Sequence, residues 1–402
     1  MKKSTVLTLL SCFLFFHLSA QNTENLIAKK WLVVYQYELD DLPKSALATV
    51  DEIYQLAEKG HLNKQRIKAL IYQAKFANTL EENAQLAIIN RFKNELKQLK
   101  SPEKNILENY LAELYLSYYQ QNHWRINRRS RTEEKVDPND FRTWDSETLL
   151  VEVKKHFQNT LQPKSQLQKA PIAEYQVLFD SPPDNNIYRP TLYDVLAHNV
   201  LVFYADDANQ MEAVQDTYPV SDTAYFNTFL TTDIPESKVF SPKEASLSLY
   251  QELLKFHIAQ EQTAATIVLQ IELLNYLQVH THISGKGDRI ERALKRLKVE
   301  YTSNEASTLI DFELATKYYD QGQKKQALAY CENAIQEFPE SLGAEKCQSL
   351  KDEILSLALN ITSEELSLVD KHSKILVEYT NVDSLAFSLF KIDADITDVY
   401  PL

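Results

Sequence analysis

The chain has 402 residues, with 43 Lys and Arg against 56 Asp and Glu and a formal net charge of −13. Hydrophobic residues make up 44% and charged residues 25%, too apolar for a disordered chain, while the excess of acid argues against nucleic acid as the main partner. Only five glycines occur and none stands in a GxGxxG or GxxxxGK[ST] run, so dinucleotide and P-loop sites are excluded.

Residues 1–20 read as a targeting segment. Lys2 and Lys3 supply a positive start, and Val6, Leu7, Leu9, Leu10, Phe13, Leu14, Phe15 and Phe16 form an apolar core. Leu18-Ser19-Ala20 then offers a cleavage site before Gln21. Leu9-Leu10-Ser11-Cys12 is a poor lipoprotein box, because the apolar run continues past Cys12. No later stretch approaches the roughly 18 apolar residues of a membrane helix, so an exported chain with no membrane-spanning segment is expected.

From about residue 24 to 360 the apolar residues recur at three and four. Leu47, Val50, Ile53, Tyr54 and Ala57 make one stripe, and Ile67, Leu70, Ile71 and Ala74 make another after a break at Gly60 to Asn63. This spacing predicts an antiparallel helical hairpin. A further helix is expected to open at Ser101-Pro102-Glu103, with Ser101 as its cap. Its stripe runs from Ile106 and Leu107 to Tyr118.

Residues Leu192 to Tyr204 are apolar nearly all round, which predicts a buried helix. Later stripes are Leu249, Leu253 and Phe256; Ile267, Ile271 and Leu274; and Ile290, Ala293, Leu294 and Leu297. Charge is concentrated over residues 125–140 and proline over 180–190, and Asp206 to Pro242 reads as a boundary or long loop. The arginines 125, 128, 129 and 131 read as a solvated loop or, alternatively, an anion patch.

In the segment Thr308 to Ser341, residues Leu314, Ala315, Tyr318, Tyr319, Gly322, Ala327, Ala334 and Pro339 take the small and aromatic positions of a helical hairpin. The segment resembles a tetratricopeptide repeat (TPR) of about 34 residues. Ala344 to Leu359 is expected to close it as a terminal helix. Lys374 to Tyr379 and Leu385 to Ile392 then read as successive strands around the turn Asn381-Val382-Asp383. Two strands make no stable sheet, so an incomplete β-sandwich and a chain that is the front of a longer protein are expected.

Chemistry is sparse. His280-Thr281-His282 has no neighbouring ligand set of zinc spacing, and His198 lies on the buried helix as a core histidine. The acid pairs Asp40-Asp41, Glu81-Glu82 and Asp206-Asp207 read as solvated charges, and most of the 22 tyrosines fall on core stripes. No GxSxG, HExxH or CxxC occurs, so no catalytic, cofactor-binding or metal site is expected, and the chain reads as no enzyme. Cys331 and Cys347 are two small core side chains or a bridge between neighbouring helices.

Several segments together carry a family resemblance. They are Leu42 to Leu47 through Val50 to Tyr54, then Ile67 to Tyr72, Ala112 to Tyr115, and His123 to Ile126. The most distinctive is Arg189-Pro190-Thr191-Leu192-Tyr193-Asp194-Val195-Leu196-Ala197-His198. With Tyr379 to Val382 and Leu389 to Ile392, they resemble the N-terminal region of the large exported bacterial alpha-2-macroglobulin-like proteins.

The resemblance implies a mainly α fold. Antiparallel helical hairpins would stack as a TPR-like array, followed by the first strands of a truncated macroglobulin-type β-sandwich. The expected organisation is a signal peptide over 1–20, an N-terminal helical domain over 21–235, a TPR-like domain over 236–362 and an incomplete sandwich over 363–402. It further implies a cell-envelope or periplasmic protease inhibitor whose helical front is a docking scaffold for proteins. In that family a bait segment is cleaved and some members trap the protease through a Cys-x-Glu-Gln thioester. Cys331-Glu332-Asn333-Ala334 and Cys347-Gln348-Ser349-Leu350 both depart from that pattern, which places any such chemistry outside these residues. The alternative is a stand-alone TPR-type adaptor in envelope assembly or nutrient uptake.

Overall fold

A computed structural model describes residues 22–80, 84–130, 135–179, 185–206, 223–234, 241–363, 372 and 374–388. The expected targeting segment and most of the stretch from Asp206 to Pro242 lie outside them. The described chain is mainly helical, with one small antiparallel sheet. It divides into two compact units at Ile290/Glu291.

In the first unit, α1 (residues 22–39), α2 (Pro43–Lys59) and α3 (Asn63–Leu80) are joined by three-residue connections. The expected stripe is buried as Val50, Ile53 and Ala57, and Ile27, Trp31 and Val34 of α1 meet Ala69 and Phe76 of α3 in the same cluster. Trp31 stands edge-on to Tyr72 with ring centroids 4.8 Å apart. Beyond them come α4 (Gln85–Leu96), α5 (Glu103–Ile126) and α6 (Ser146–Thr160), then the short turns α7 (Lys164–Leu167) and α8 (Asn185–Tyr188). Helices α9 (Leu192–Ala205), α10 (Pro242–Ala259) and α11 (Thr263–His280) pack in sequence.

Three of the connections share one device. The N–H of Leu42 bonds to the Tyr37 carbonyl, Leu62 to Ala57, and Gln262 to His257, each at 2.8–3.0 Å and five residues back. This is the Schellman closure of a helix end, which needs a left-handed residue just before the donor. Asp41, His61 and Glu261 fill that place with φ of 53°, 55° and 56°. Gly60, which the sequence marks as the break, is itself right-handed at φ −84°.

One start signal is corrected. Helix α5 opens at Glu103 with Pro102 at its cap position, and no side chain caps it. The Pro102 carbonyl receives the N–H of Asn105, while the Ser101 hydroxyl is turned into the protein with no hydrogen-bond partner. Among the described residues of unit 1, three α-helices do carry side-chain caps: Asp145 on Thr148, Thr191 on Asp194 and Ser241 on Glu244.

Helix α12 (Lys286–Glu300) carries the division between units and buries Ile290, Ala293, Leu294 and Leu297, as their spacing predicts. The second unit continues with α13 (Ser307–Asp320), α14 (Lys324–Glu337) and α15 (Leu342–Leu355). Ala315, Ala327, Cys331, Ala334 and Cys347 are wholly buried in one cluster there. The α13–α14 connection repeats the Schellman closure, Gln323 N–H to Tyr318 carbonyl at 2.8 Å, this time with a glycine, Gly322, at φ 75°. Gly343 marks a second constraint: a Cβ there would stand 2.3 Å from the Thr308 carbonyl carbon.

The end of the described chain departs from expectation. Helix α15 stops at Leu355 rather than running to Leu359, and β1 (Ala358–Ser363) follows it. Its partner is β2 (Ile375–Thr380), so the second expected strand is not the pairing one. Residues 381–388 are irregular, and Leu389 to Ile392 lie outside the described residues.

Asn381 explains both changes. It turns the chain at φ 55° and its side-chain amide donates to the carbonyls of Ile354 and Ser356, at 2.7 and 2.9 Å. The orphan carbonyls of the last helical turn are thereby satisfied from outside the helix. Across the sheet Leu359 faces Tyr379 and Ile361 faces Val377, giving one apolar face, while Asn360 opposite Glu378 belongs to the polar face. Leu359, Ile361, Ile375 and Tyr379 remain 50–60% exposed.

Candidate functional site

The segment Arg189 to His198 is where the sequence and the structure converge. Thr191 N–H and hydroxyl both donate to Asp194 Oδ2 at 2.8 Å, and the Asp194 N–H faces the Thr191 oxygen, closing a capping box at the start of α9. Asp194 then reaches beyond its own helix. Its Oδ1 lies 2.7 Å from His257 Nε2 on α10, and both side chains are about 1% exposed. The other ring nitrogen, Nδ1, meets the Gln262 amide at 2.6 Å.

His198 completes the arrangement one turn later. Its Nδ1 lies 2.6 Å from the Asp194 carbonyl and its Nε2 2.6 Å from Glu272 Oε2 on α11. Glu272 also pairs with Arg189 at 3.0 Å. Burial works against the Glu272 carboxylate, but the His198 and Arg189 contacts outweigh it and hold its pKa below the ordinary value. Tyr193 donates to Glu252, which pairs with Lys164, and burial with that carboxylate pushes the phenol up.

An Asp–His pair serves as a general base when its second ring nitrogen faces a nucleophile. Here that nitrogen is taken by Gln262, and both nitrogens of His198 are occupied. The chemistry this geometry supports is fastening: it ties α9 to α10 and α11 through charge-assisted bonds.

A second cluster joins α5 to α6. His156 Nδ1 lies 2.5 Å from Glu108, and its Nε2 is 3.3 Å from Glu152. Lys135 and Lys155 pair with Glu152 at 2.8 and 3.0 Å. The imidazole stacks on Tyr115, centroids 5.7 Å apart. Burial disfavours the charged ring, yet the bonds to Glu108 and Glu152 raise its pKa above the ordinary 6.5. Burial, with the nearby Glu152 charge, pushes the Tyr115 phenol far up.

In the second unit Lys298 gathers Asp311 and Glu337, each at 2.6 Å, and Ser307 at 3.2 Å. It thereby links α12, α13 and α14. Burial pushes the Asp311 carboxyl up against the pull of Lys298.

The remaining sequence candidates are dispersed. His280 packs on Tyr276 at 4.4 Å, Thr281 is buried, and His282 is exposed. Among the described residues no group of His, Cys, Asp and Glu could hold a metal, and no helix is long and apolar enough to cross a membrane. Arg129 bonds the Trp144 carbonyl and Arg125 the Tyr118 hydroxyl, whereas Arg131 lies outside the described residues. Asp40 and Asp41 are exposed, while Glu81, Glu82 and Asp207 lie outside. Sequence pattern does not single out His257, His156 or Lys298, each of which has an acid partner on another helix. No protein-family model matches the chain, and no curated protein matches it.

Proposed function

We propose that the chain is a non-enzymatic helical scaffold, the docking region of an alpha-2-macroglobulin-like protease inhibitor of the cell envelope. The observation that carries this reading is the Arg189 to His198 segment. Its four most polar residues, Arg189, Thr191, Asp194 and His198, all enter one fastening network between helices, which accounts for a signature segment without a reaction. The apolar face of Leu359, Ile361, Ile375, Val377 and Tyr379 adds support, since an antiparallel pair with one apolar face is the kind of element a second sheet covers. Helical hairpins of this type present extended surfaces to protein partners.

The test is to incubate the protein encoded by the whole reading frame with serine, cysteine and metallo-endopeptidases. The expected result is loss of protease activity with a complex that forms only with active protease. Full protease activity across the panel, with no such complex, rejects the reading.

A second reading, a TPR-type adaptor, is favoured by α13 to α15, where Ala315, Ala327 and Ala334 are wholly buried at the close approaches. It predicts one dominant envelope partner retained with or without active protease.

A further inference from the structure

The geometry points to Cys331 and Cys347 as a reversible dithiol–disulfide couple that staples α14 to α15. The two thiols lie inside one apolar cluster, and neither side chain is exposed. They stand on consecutive helices that pack together. Ala315, Ala327 and Ala334 supply small side chains in the same cluster, which lets the helices approach closely. A disulfide needs Cα atoms about 4.4–6.8 Å apart, a spacing that neighbouring packed helices reach where small residues face each other.

The oxidant required is a low-molecular-weight disulfide such as oxidised glutathione. As the chain folds, before the cluster closes over the sulfurs, one cysteine thiolate attacks it, forming a mixed disulfide and releasing one glutathione thiolate. The second cysteine thiolate then attacks the mixed disulfide at the protein sulfur, forming the Cys331–Cys347 bond and releasing the other. The two protons lost by the cysteines end on the two glutathione thiols, so two electrons pass to the oxidant and the step balances. This couple is independent of the scaffold reading.

The full chain tests this directly. It is refolded from denaturant in glutathione redox buffers, alkylated and digested with trypsin. Cleavage after Lys346 places the two cysteines on separate peptides, 326–346 and 347–351, so only a bridge keeps them together. Cys12 falls on a third peptide and cannot mimic the result.

The expected outcome is a linked species from monomeric protein at equal oxidised and reduced glutathione, abolished by dithiothreitol. Closing a loop of about 15 residues should also raise the apparent melting temperature by about 5 °C over the reduced form, a shift absent in C331S. Separate peptides, each alkylated or each carrying glutathione at every redox ratio, overturn the proposal. So does a linkage confined to covalent dimers. The peptide map of the unsubstituted chain separates these outcomes even where C331S does not fold.

Discussion

Asp194 and His257 meet in the core of the first unit, Oδ1 to Nε2 at 2.7 Å, across 63 positions of sequence. Each is satisfied on its other side, Asp194 by Thr191 and His257 by Gln262. Removing one member of such a pair leaves a buried polar group unpaired, which costs about 3–5 kcal/mol. His257→Ala and Asp194→Ala should therefore each destabilise the first unit strongly. Because both remove the same bond, the double variant should lose about 1–3 kcal/mol less than the sum. Urea unfolding of the four proteins measures this, and strict additivity contradicts a direct bond. Asp194→Asn, which keeps an acceptor for Thr191, should retain the helix cap and lose less than Asp194→Ala.

The His156 cluster gives a pH dependence of definite sign. Its pKa is raised in the folded protein, so its contribution is fully present below the ordinary value of 6.5 and is lost as pH rises through the folded value. Glu152 behaves oppositely. Burial opposes its charge, but His156, Lys135 and Lys155 together lower its pKa well below 4.5, so its contribution is lost only on strong acidification. With Glu108 facing the ring from α5 and Glu152 from α6, the cluster stabilises most between these limits. Thermal melts from pH 5 to 9 should show stability falling above neutrality, and His156→Gln should reduce that fall. An unchanged slope in His156→Gln would assign the pH dependence elsewhere.

Much of the helical layout is legible from local pattern. The break at Gly60 to Asn63, the all-apolar helix from Leu192 and the stripe from Ile290 to Leu297 each depend on residues within a few positions of one another. What escapes is set by distance. The pairing of Ala358–Ser363 with Ile375–Thr380 could not be read, because Ala358 and Leu359 extend the apolar pattern of the preceding helix. The change comes from Asn381, whose amide caps that helix from 25 and 27 residues away. The fastening pairs are hidden for the same reason: Glu108 and His156 are 48 positions apart, and His198 and Glu272 are 74. The polar residues of Arg189 to His198 stand out as a group, but the partners that explain them do not.

Gly343 tests how closely α13 and α15 approach. A methyl group at this position would meet the Thr308 carbonyl carbon and hydroxyl at 2.3 Å and the Leu309 nitrogen at 2.5 Å. Those are largely backbone atoms and cannot rotate aside. Thr308 is also bonded to Ser341, the cap of α15, at 2.8 Å, so a shift would disturb that cap as well. Gly343→Ala should destabilise the second unit by about 3 kcal/mol. Hydrogen exchange across α13 and α15 should rise in that variant, and wild-type protection there would contradict so close an approach.

Gly322 tests a different cost, because an added methyl group would meet nothing within 4 Å. Its φ of 75° is the left-handed conformation that Asp41, His61 and Glu261 adopt at the equivalent connections. For a residue with a Cβ that conformation costs about 1–2 kcal/mol. Gly322→Ala should therefore lose about 1 kcal/mol through the backbone alone, less than Gly343→Ala. The reverse exchange should gain. His61 and Glu261 are exposed, so His61→Gly and Glu261→Gly remove strain without opening a cavity. Each should raise the stability of the first unit by about 0.5–1 kcal/mol, net of the entropy glycine adds to the unfolded chain. Urea midpoints that fall in both variants would show that these side chains contribute more at the connection than their left-handed backbone costs.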